Sequence, residues 1–564
     1  MLETKFDVII TGGGLAGLSL ARQLKLNDES LNVLVLEKQK GPLPSATHKI
    51  GESSIEVGAY YYGQVLGLED YIEESHYEKL GLRYYFKNDS EKFEDRLEYG
   101  VDDFLPRKSY QFNRGTFENH LRETIVGQGV TLLENASCLD ISITEDNEEN
   151  TIVFEQDGTT YEKNAKWIVD ATGRNRILQN KLGFKKEVKK THSSIWFRVK
   201  STCDIAQLVP KENVEWHERI KQPRWLSTNH IMGEGYWMWI IPLTGDYTSF
   251  GIVASEEFHP YKTFNTRNKA KNWIEENEPE IARLIDGLEW LDFKGIRNYS
   301  HSSTKVISEN GWACVGEAGV FADPFYSVGS NLIAYANSMV TNLICNVEDS
   351  EKEEHARHYN SYLISHCESL THIIQAHMPY MGNGYIAALK IIWDTFIGWG
   401  ISDPIFYNDV YLCPKKSKMI YGTLLKLSLA QLRIVEFFDE WSKKSNTKVD
   451  YQFLDCLKDL PTLCDVYTRN LPSGEKSFEE VYEDIQYSFE KLEEFGNIVF
   501  QLAVQELYPE EADAVSNRWI DITEITLDKD DWELGLFDDS EKRDIEYLKN
   551  EVYNAFNMNA ALVS

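Results

Sequence analysis

Apolar and polar positions change their spacing several times along this chain, and the first change is the most informative. Residues 5–11 (KFDVIIT) form a short β-branched run that stops at glycines, after which Leu15, Leu18, Leu20 and Leu24 follow at helical intervals. A second apolar run, 32–37 (NVLVLE), completes the pattern of a βαβ unit. Residues 84–105 are charged and irregular, which predicts a surface excursion. Residues 133–169 alternate around turns at 146–150 and 156–158, predicting antiparallel strands that rejoin the first sheet at Trp167-Ile168-Val169. Segments 193–200, 236–243 and 247–254 are aromatic and β-branched and predict a second antiparallel sheet. A helix is expected over 330–347, and the remainder is helical and acidic. There Leu425, Leu429, Leu432, Val435 and Phe438 recur at three- to four-residue spacing, the pattern of a core-facing stripe.

Composition narrows what such a chain can be. A hydrophobic fraction of 42% and a charged fraction of 26% over 564 residues describe a globular protein with room for several lobes and a buried cavity. No apolar window is long enough for a membrane span. The chain also enters its first strand without the pattern of a secretory leader, so a cytoplasmic location is expected. The 8 Cys fall at no metal-binding or CxxC spacing and read as reduced thiols, with no metal site. Asp and Glu number 90 against 58 Lys and Arg, a formal charge of −32 that repels phosphate backbones and anionic lipids. Nucleic acid and membrane partners are disfavoured. An acidic carrier protein bearing the substrate is disfavoured more weakly.

The candidate chemistry begins at Gly12-Gly13-Gly14-Leu15-Ala16-Gly17, a GxGxxG segment between the first strand and its helix. Gly12 permits the tight turn, Gly14 lets a pyrophosphate approach the helix N-terminus, and Gly17, after Ala16, lets helix and strand pack closely. Glu37, followed by Lys38, closes the second strand where a carboxylate accepts hydrogen bonds from an adenosine ribose. The pattern predicts dinucleotide binding.

Two further glycine turns resemble the second and third fingerprints of FAD-dependent monooxygenases of the hydroxylase fold. They are 167–174 (WIVDATGR), with Asp170, and 313–319 (ACVGEAG), where Glu317 stands in place of the family's Asp. Arg114, in 111–117 (QFNRGTF), matches a family arginine ahead of a helix. The resemblance implies bound FAD.

Over residues 1–345 the resemblance narrows to the flavin-dependent halogenases. Gly51-Glu52-Ser53-Ser54 is similar to the family's GES segment, and Trp237-Met238-Trp239-Ile240-Ile241-Pro242 is a complete WxWxIP. Residues 321–329 (FADPFYSVG), with Asp323 and Ser327, match FxxPxxSxG. Residues 78–86 (EKLGLRYYF) resemble the segment around the family lysine; this nominates Lys79, with Arg83 as the rival if the alignment slips by four positions.

The fold so implied is α/β: a GR2-like, FAD-binding Rossmann domain formed by 1–190 and 301–346, an inserted antiparallel-sheet substrate region over 191–300, and a helical C-terminal region over 347–564. The implied reaction uses reduced FAD from a separate flavin reductase, O2 and chloride or bromide to halogenate a small electron-rich aromatic, phenol- or pyrrole-like. In that resemblance Trp237 and Trp239 screen the flavin from organic substrate, backbone N–H groups near Val328 and Gly329 hold halide, and Lys79 receives hypohalous acid. Tryptophan-type members carry Glu where this chain has Tyr326, which points away from free tryptophan. The alternative is a monooxygenase of the same fold that transfers oxygen instead.

Overall fold

The computed structural model describes residues 5–558 apart from 46–48, 89, 145–148, 190–191, 450, 473, 475 and 542. Strand Lys5–Thr11 lies between parallel neighbours Val33–Glu37 and Thr159–Asp170, and Thr131–Glu134 and Trp312–Cys314 extend the parallel sheet on either side. Its β-branched residues are buried on both faces, as a parallel sheet requires. Helix Leu15–Asn27 covers it and packs on helix Gly329–Cys345, so the two ends of the dinucleotide-binding unit meet. The expected antiparallel excursion is present as Ala136–Ser142, Asn150–Gln156 and Thr159–Asp170, with a turn at 157–158; most of the other turn, at 145–148, lies outside the described residues.

The second sheet runs in the order Lys294–Ile296, Ser193–Val199, Tyr247–Ala254, Tyr236–Leu243, Thr228–Gly233, Leu82–Phe86, Leu97–Gly100 and Phe453–Asp455. It is mixed and not purely antiparallel, because Leu82–Phe86 joins Thr228–Gly233 in parallel and Phe453–Asp455 joins Leu97–Gly100 likewise. Residues 84–105 are a surface excursion only in part: 84–86 and 97–100 are strands of this sheet, and the stretch between them carries Lys87, Glu91, Lys92 and Asp95 exposed. The charges at its inner end are neutralised inside: Arg83 and Arg224 both pair with buried Glu98, and Arg96 pairs with buried Glu278. There, charge marks internal ion pairing and not exposure to solvent.

The C-terminal helices Lys352–Ala376, Ile386–Ile397, Tyr421–Lys444 and Phe478–Leu507 form the third layer. Of the expected core stripe on Tyr421–Lys444 only Val435 and Phe438 are buried. Leu425, Leu429 and Leu432 are 47%, 46% and 53% exposed, since a helical period fixes which residues share a face but not what covers it. Among the described residues, no helix is long and apolar enough to cross a membrane.

Candidate active site

Two adjoining cavities open between the layers. The first, of about 120 Å³, is lined by Leu15 of the glycine turn, by Glu52 and Ser53, Arg114, Trp237 and Trp239, Glu317, and the turn Pro324 to Ser330. The second, of about 660 Å³, is lined by Lys79, Glu56, Tyr326, Val328 and residues of the C-terminal helices, including Asp394 and Asp403.

The glycine turn is shaped for a ligand. Gly12 has φ +112°, and a Cβ at Gly17 would lie 1.9 Å from the Gly12 carbonyl, so these two glycines are required by the turn itself. Gly14 differs: a Cβ there meets nothing within 4 Å, and it opens onto space at the N-terminus of Leu15–Asn27, a helix end without a side-chain cap. Glu37 accepts from Gly13 N at 2.7 Å and Gln39 N at 2.8 Å, which fixes its carboxylate beside that space; Lys38 is exposed at the strand end. Ala16 packs against Gly316 of the third fingerprint, where a Cβ would lie 2.9 Å away.

The first cavity carries unused donors: Trp196 Nε1, Trp237 Nε1 and Arg114 Nε are buried without a protein partner. Buried donors ordinarily find acceptors, so this lining suits a flat, carbonyl-rich ring such as the flavin. Arg114 itself is anchored to the Ile50 carbonyl and to Glu118 Oε1. Glu317 faces the cavity, 3.6 Å from Arg174, and burial pushes its carboxyl upward. Glu52 is bound to Arg198 Nε at 2.8 Å. Trp237 and Trp239 stand on one face of Tyr236–Leu243 with ring centroids 5.8 Å apart, and Gly251 opposite leaves room for the Trp239 ring.

Two acidic residues named from the sequence turn away from this cavity. Asp170 accepts from Thr172 N, Thr172 Oγ1 and Leu178 N at 2.9, 2.6 and 2.8 Å, and so shapes the turn. Asp323 accepts from Tyr299 Oη at 2.5 Å and Phe325 N at 3.2 Å and lies 2.9 Å from His192 Nδ1, holding the turn that follows it. Their carboxylates are spent on protein groups, which sequence spacing does not reveal.

Lys79 sits on the wall between the cavities. It is 2% exposed and donates to Ser53 Oγ at 3.0 Å and to the Ser54 carbonyl at 2.8 Å. Ser53 Oγ in turn lies 2.8 Å from Thr228 Oγ1 and accepts from Ser327 Oγ at 3.1 Å, so a hydrogen-bonded path crosses from the first cavity to the second. Burial lowers the Lys79 ammonium from 10.5 to about 7, against an opposing pull from Glu56. Arg83, the rival, lines neither cavity and is bound to Glu98, the Val101 carbonyl and Ser227. Ser327 adopts φ +59°, a conformation rare outside glycine, and the following Val328 and Gly329 begin helix Gly329–Cys345 with no side-chain cap.

The sequence reading did not include the residues contributed by the C-terminal helices. Tyr326 Oη donates to Asp394 Oδ2 at 2.8 Å, and Lys390 Nζ donates to both Asp394 oxygens at 2.6 and 2.7 Å. A signal was present: Ile386–Ile397 (IAALKIIWDTFI) is apolar on nearly every side yet carries Lys390 and Asp394 four residues apart.

A family model described as tryptophan halogenase matches residues 105–382, and one described as lycopene cyclase protein matches residues 7–193. The flavin-dependent halogenase chlA of Dictyostelium discoideum is 27% identical over 441 residues, covering 72% of each chain. A 1H-pyrrole-2-carbonyl-(peptidyl-carrier protein) brominase of Pseudoalteromonas luteoviolacea is 28% identical over 57% of this chain and 73% of its own. Among solved structures, the halogenase PltM in complex with phloroglucinol and FAD aligns with TM-score 0.60 at 15% identity, covering 91% of this chain and 99% of its own. The myxobacterial chondrochloren halogenase CndH aligns with TM-score 0.55 at 22% identity, covering 69% and 86%.

Proposed function

This chain belongs to the flavin-dependent halogenases, and from that premise we propose that it halogenates a small phenol in its larger cavity, with reduced FAD delivered by a separate reductase. The observation that carries the reading is the path Ser327–Ser53–Lys79, which joins the flavin-shaped cavity to the substrate-sized one at a lysine with a lowered pKa.

Residues of the glycine turn and of the first cavity beside it fit FAD. The turn at Gly14 offers space and free N–H groups for the pyrophosphate, Glu37 lies where the ribose is expected, and Arg114, Glu317 and the unpaired indole N–H groups face the ring site. When bound and reduced, FAD supplies with O2 the oxidising equivalent that converts halide to hypohalous acid. The chain's own residues do the rest. Backbone N–H groups at Val328 and Gly329, at a helix start bearing partial positive charge, hold the halide. Trp237 and Trp239 fill the wall so that organic substrate stays out of the first cavity. Lys79 receives hypohalous acid, either donating a hydrogen bond to it or, as the free amine, exchanging hydrogen for halogen with release of water.

The choice of a phenol rests on Tyr326, which puts a hydroxyl in place of a carboxylate on the cavity wall, and on the apolar and tyrosine-rich lining around it. Incubation with a flavin reductase, FAD, NADH, bromide and an electron-rich phenol should give a product with the bromine isotope doublet. A product carrying oxygen and no bromine would establish the monooxygenase instead.

A further inference from the structure

The cluster behind Tyr326 has no part in forming hypohalous acid, and it deepens the phenol reading on which it rests. Asp394 is joined by Lys390 Nζ at 2.6 and 2.7 Å and by Tyr326 Oη at 2.8 Å. His377 Nε2 lies 3.2 Å from the same Asp394 oxygen but out of hydrogen-bond alignment. Tyr326 and Asp394 line the large cavity, whereas Lys390 and His377 lie behind them. An ion pair inside an apolar helix costs desolvation that a hydrophobic pair of similar volume would avoid, so packing does not account for it.

The geometry points to Asp394 as the proton acceptor for the hydroxyl of a phenolic substrate, reached through the Tyr326 oxygen. Tyr326 uses its only hydrogen on Asp394, so what it presents to the cavity is an acceptor, the complement of a phenol O–H. The same turn sends Ser327 toward Lys79 and the halogen. Thus Tyr326 and Ser327, adjacent in sequence, divide the two ends of the reaction between them. The turn is rigid: Phe325 packs against Trp237 at 5.3 Å, His230 at 5.6 Å and His377 at 5.9 Å.

The proton accounting is closed. As a ring carbon takes halogen from hypohalous acid, hydroxide leaves, and positive charge spreads from the ring to the phenolic oxygen. That oxygen then gives its proton to Tyr326 while Tyr326 gives its own to Asp394, leaving a neutral halodienone. The proton on Asp394 and the hydroxide become water, Tyr326 and Asp394 return to their first state, and the dienone tautomerises to the halophenol. Burial raises the Asp394 carboxyl, but the Lys390 ammonium outweighs it and holds it below its ordinary range, so it is ionised at neutral pH. Such a weak base leaves a resting phenol protonated and acts only once the ring is charged. The other titratable groups facing it are Tyr84 and Tyr380, both held neutral chiefly by burial, and His377, lowered to about 4 by burial and Lys390.

The test compares a phenol with its methyl ether in the holoenzyme with reductase, scoring hypohalous acid separately by a small soluble trap. Tyr326→Phe and Asp394→Asn should each lower kcat for the phenol by roughly 100-fold, with little change in KM for Asp394→Asn and a several-fold rise for Tyr326→Phe, while trapped hypohalous acid persists. Asp394→Glu should restore part of the rate. The methyl ether should be equally slow with wild type and variants. Calorimetry on the FAD-free protein gives a second readout: Tyr326→Phe, which leaves the Lys390–Asp394 pair in place, should weaken phenol binding several-fold. Near-native phenol halogenation by either variant, or an equal loss for the ether, overturns the assignment. Absence of trapped hypohalous acid in the wild type overturns the halogenase reading itself.

Discussion

Lys79 offers the most quantitative test, because its environment fixes both a pH profile and a stability change. An exposed lysine is about 0.03% neutral at pH 7, whereas a group lowered from 10.5 to about 7 is about half neutral there. If the free amine carries the halogen, product formation should fall about fifty-fold between pH 7 and pH 5 as the neutral fraction falls to about 1%. Trapped hypohalous acid should not follow that profile. Lys79→Ala should consume O2 and reduced flavin yet yield no halogenated phenol, and Lys79→Arg should fare little better, since guanidinium stays charged. The same shift measures the cost of burying the charge. The fall from 10.5 to about 7 corresponds to about 5 kcal/mol. Because the folded pKa lies below the unfolded one, that cost is complete below pH 7 and fades as pH rises toward 10.5. Lys79→Met removes it but also loses bonds to Ser53 and Ser54 at about 1 kcal/mol each, so the variant should gain about 3 kcal/mol at pH 6 and lose about 1 kcal/mol near pH 10. Denaturant titration at the two pH values measures this. Near-native halogenation by Lys79→Ala, or a Lys79→Met variant no more stable at pH 6 than at pH 10, would refute the reasoning.

Gly14→Val should fold normally, since a Cβ there meets no protein atom within 4 Å, yet lose FAD binding by fluorescence titration, because the branch fills the phosphate space. Gly17→Val, whose Cβ would fall 1.9 Å from the Gly12 carbonyl, should instead fail to fold, as circular dichroism would show. Anaerobic NADPH alone should leave bound FAD oxidised over minutes, with rapid bleaching only when a reductase is added; fast bleaching without it favours the monooxygenase. Arg83→Ala strands Glu98 with Arg224 alone and should destabilise by about 3 kcal/mol in denaturant titration, without the separation of halide oxidation from halogen transfer expected at Lys79.

By itself the sequence determined what depends on neighbours in the chain. The strand–glycine–helix start, the helix after Ser327, the three aromatic strands and the indoles at alternate positions of one strand are local patterns, and each forms where its spacing places it. The surrounding motif nominated Lys79, and its buried place on the cavity wall could not be read from that motif. Only the tertiary structure decided which charges are buried and what they meet. Glu98 and Arg96 read as surface because the Coulomb partners that complete their burial, Arg224 and Glu278, lie more than a hundred residues away. Asp170 and Asp323 carry the right charge at the right spacing, but backbone and side-chain donors close them off from the cavity. The exposed leucines of Tyr421–Lys444 show the converse: periodicity gave the helix but not its cover. Asp394 meets Tyr326 across 68 residues, because helix Ile386–Ile397 packs over the cavity; a side chain's chemistry there is set by that contact, and a one-dimensional pattern carries no record of it.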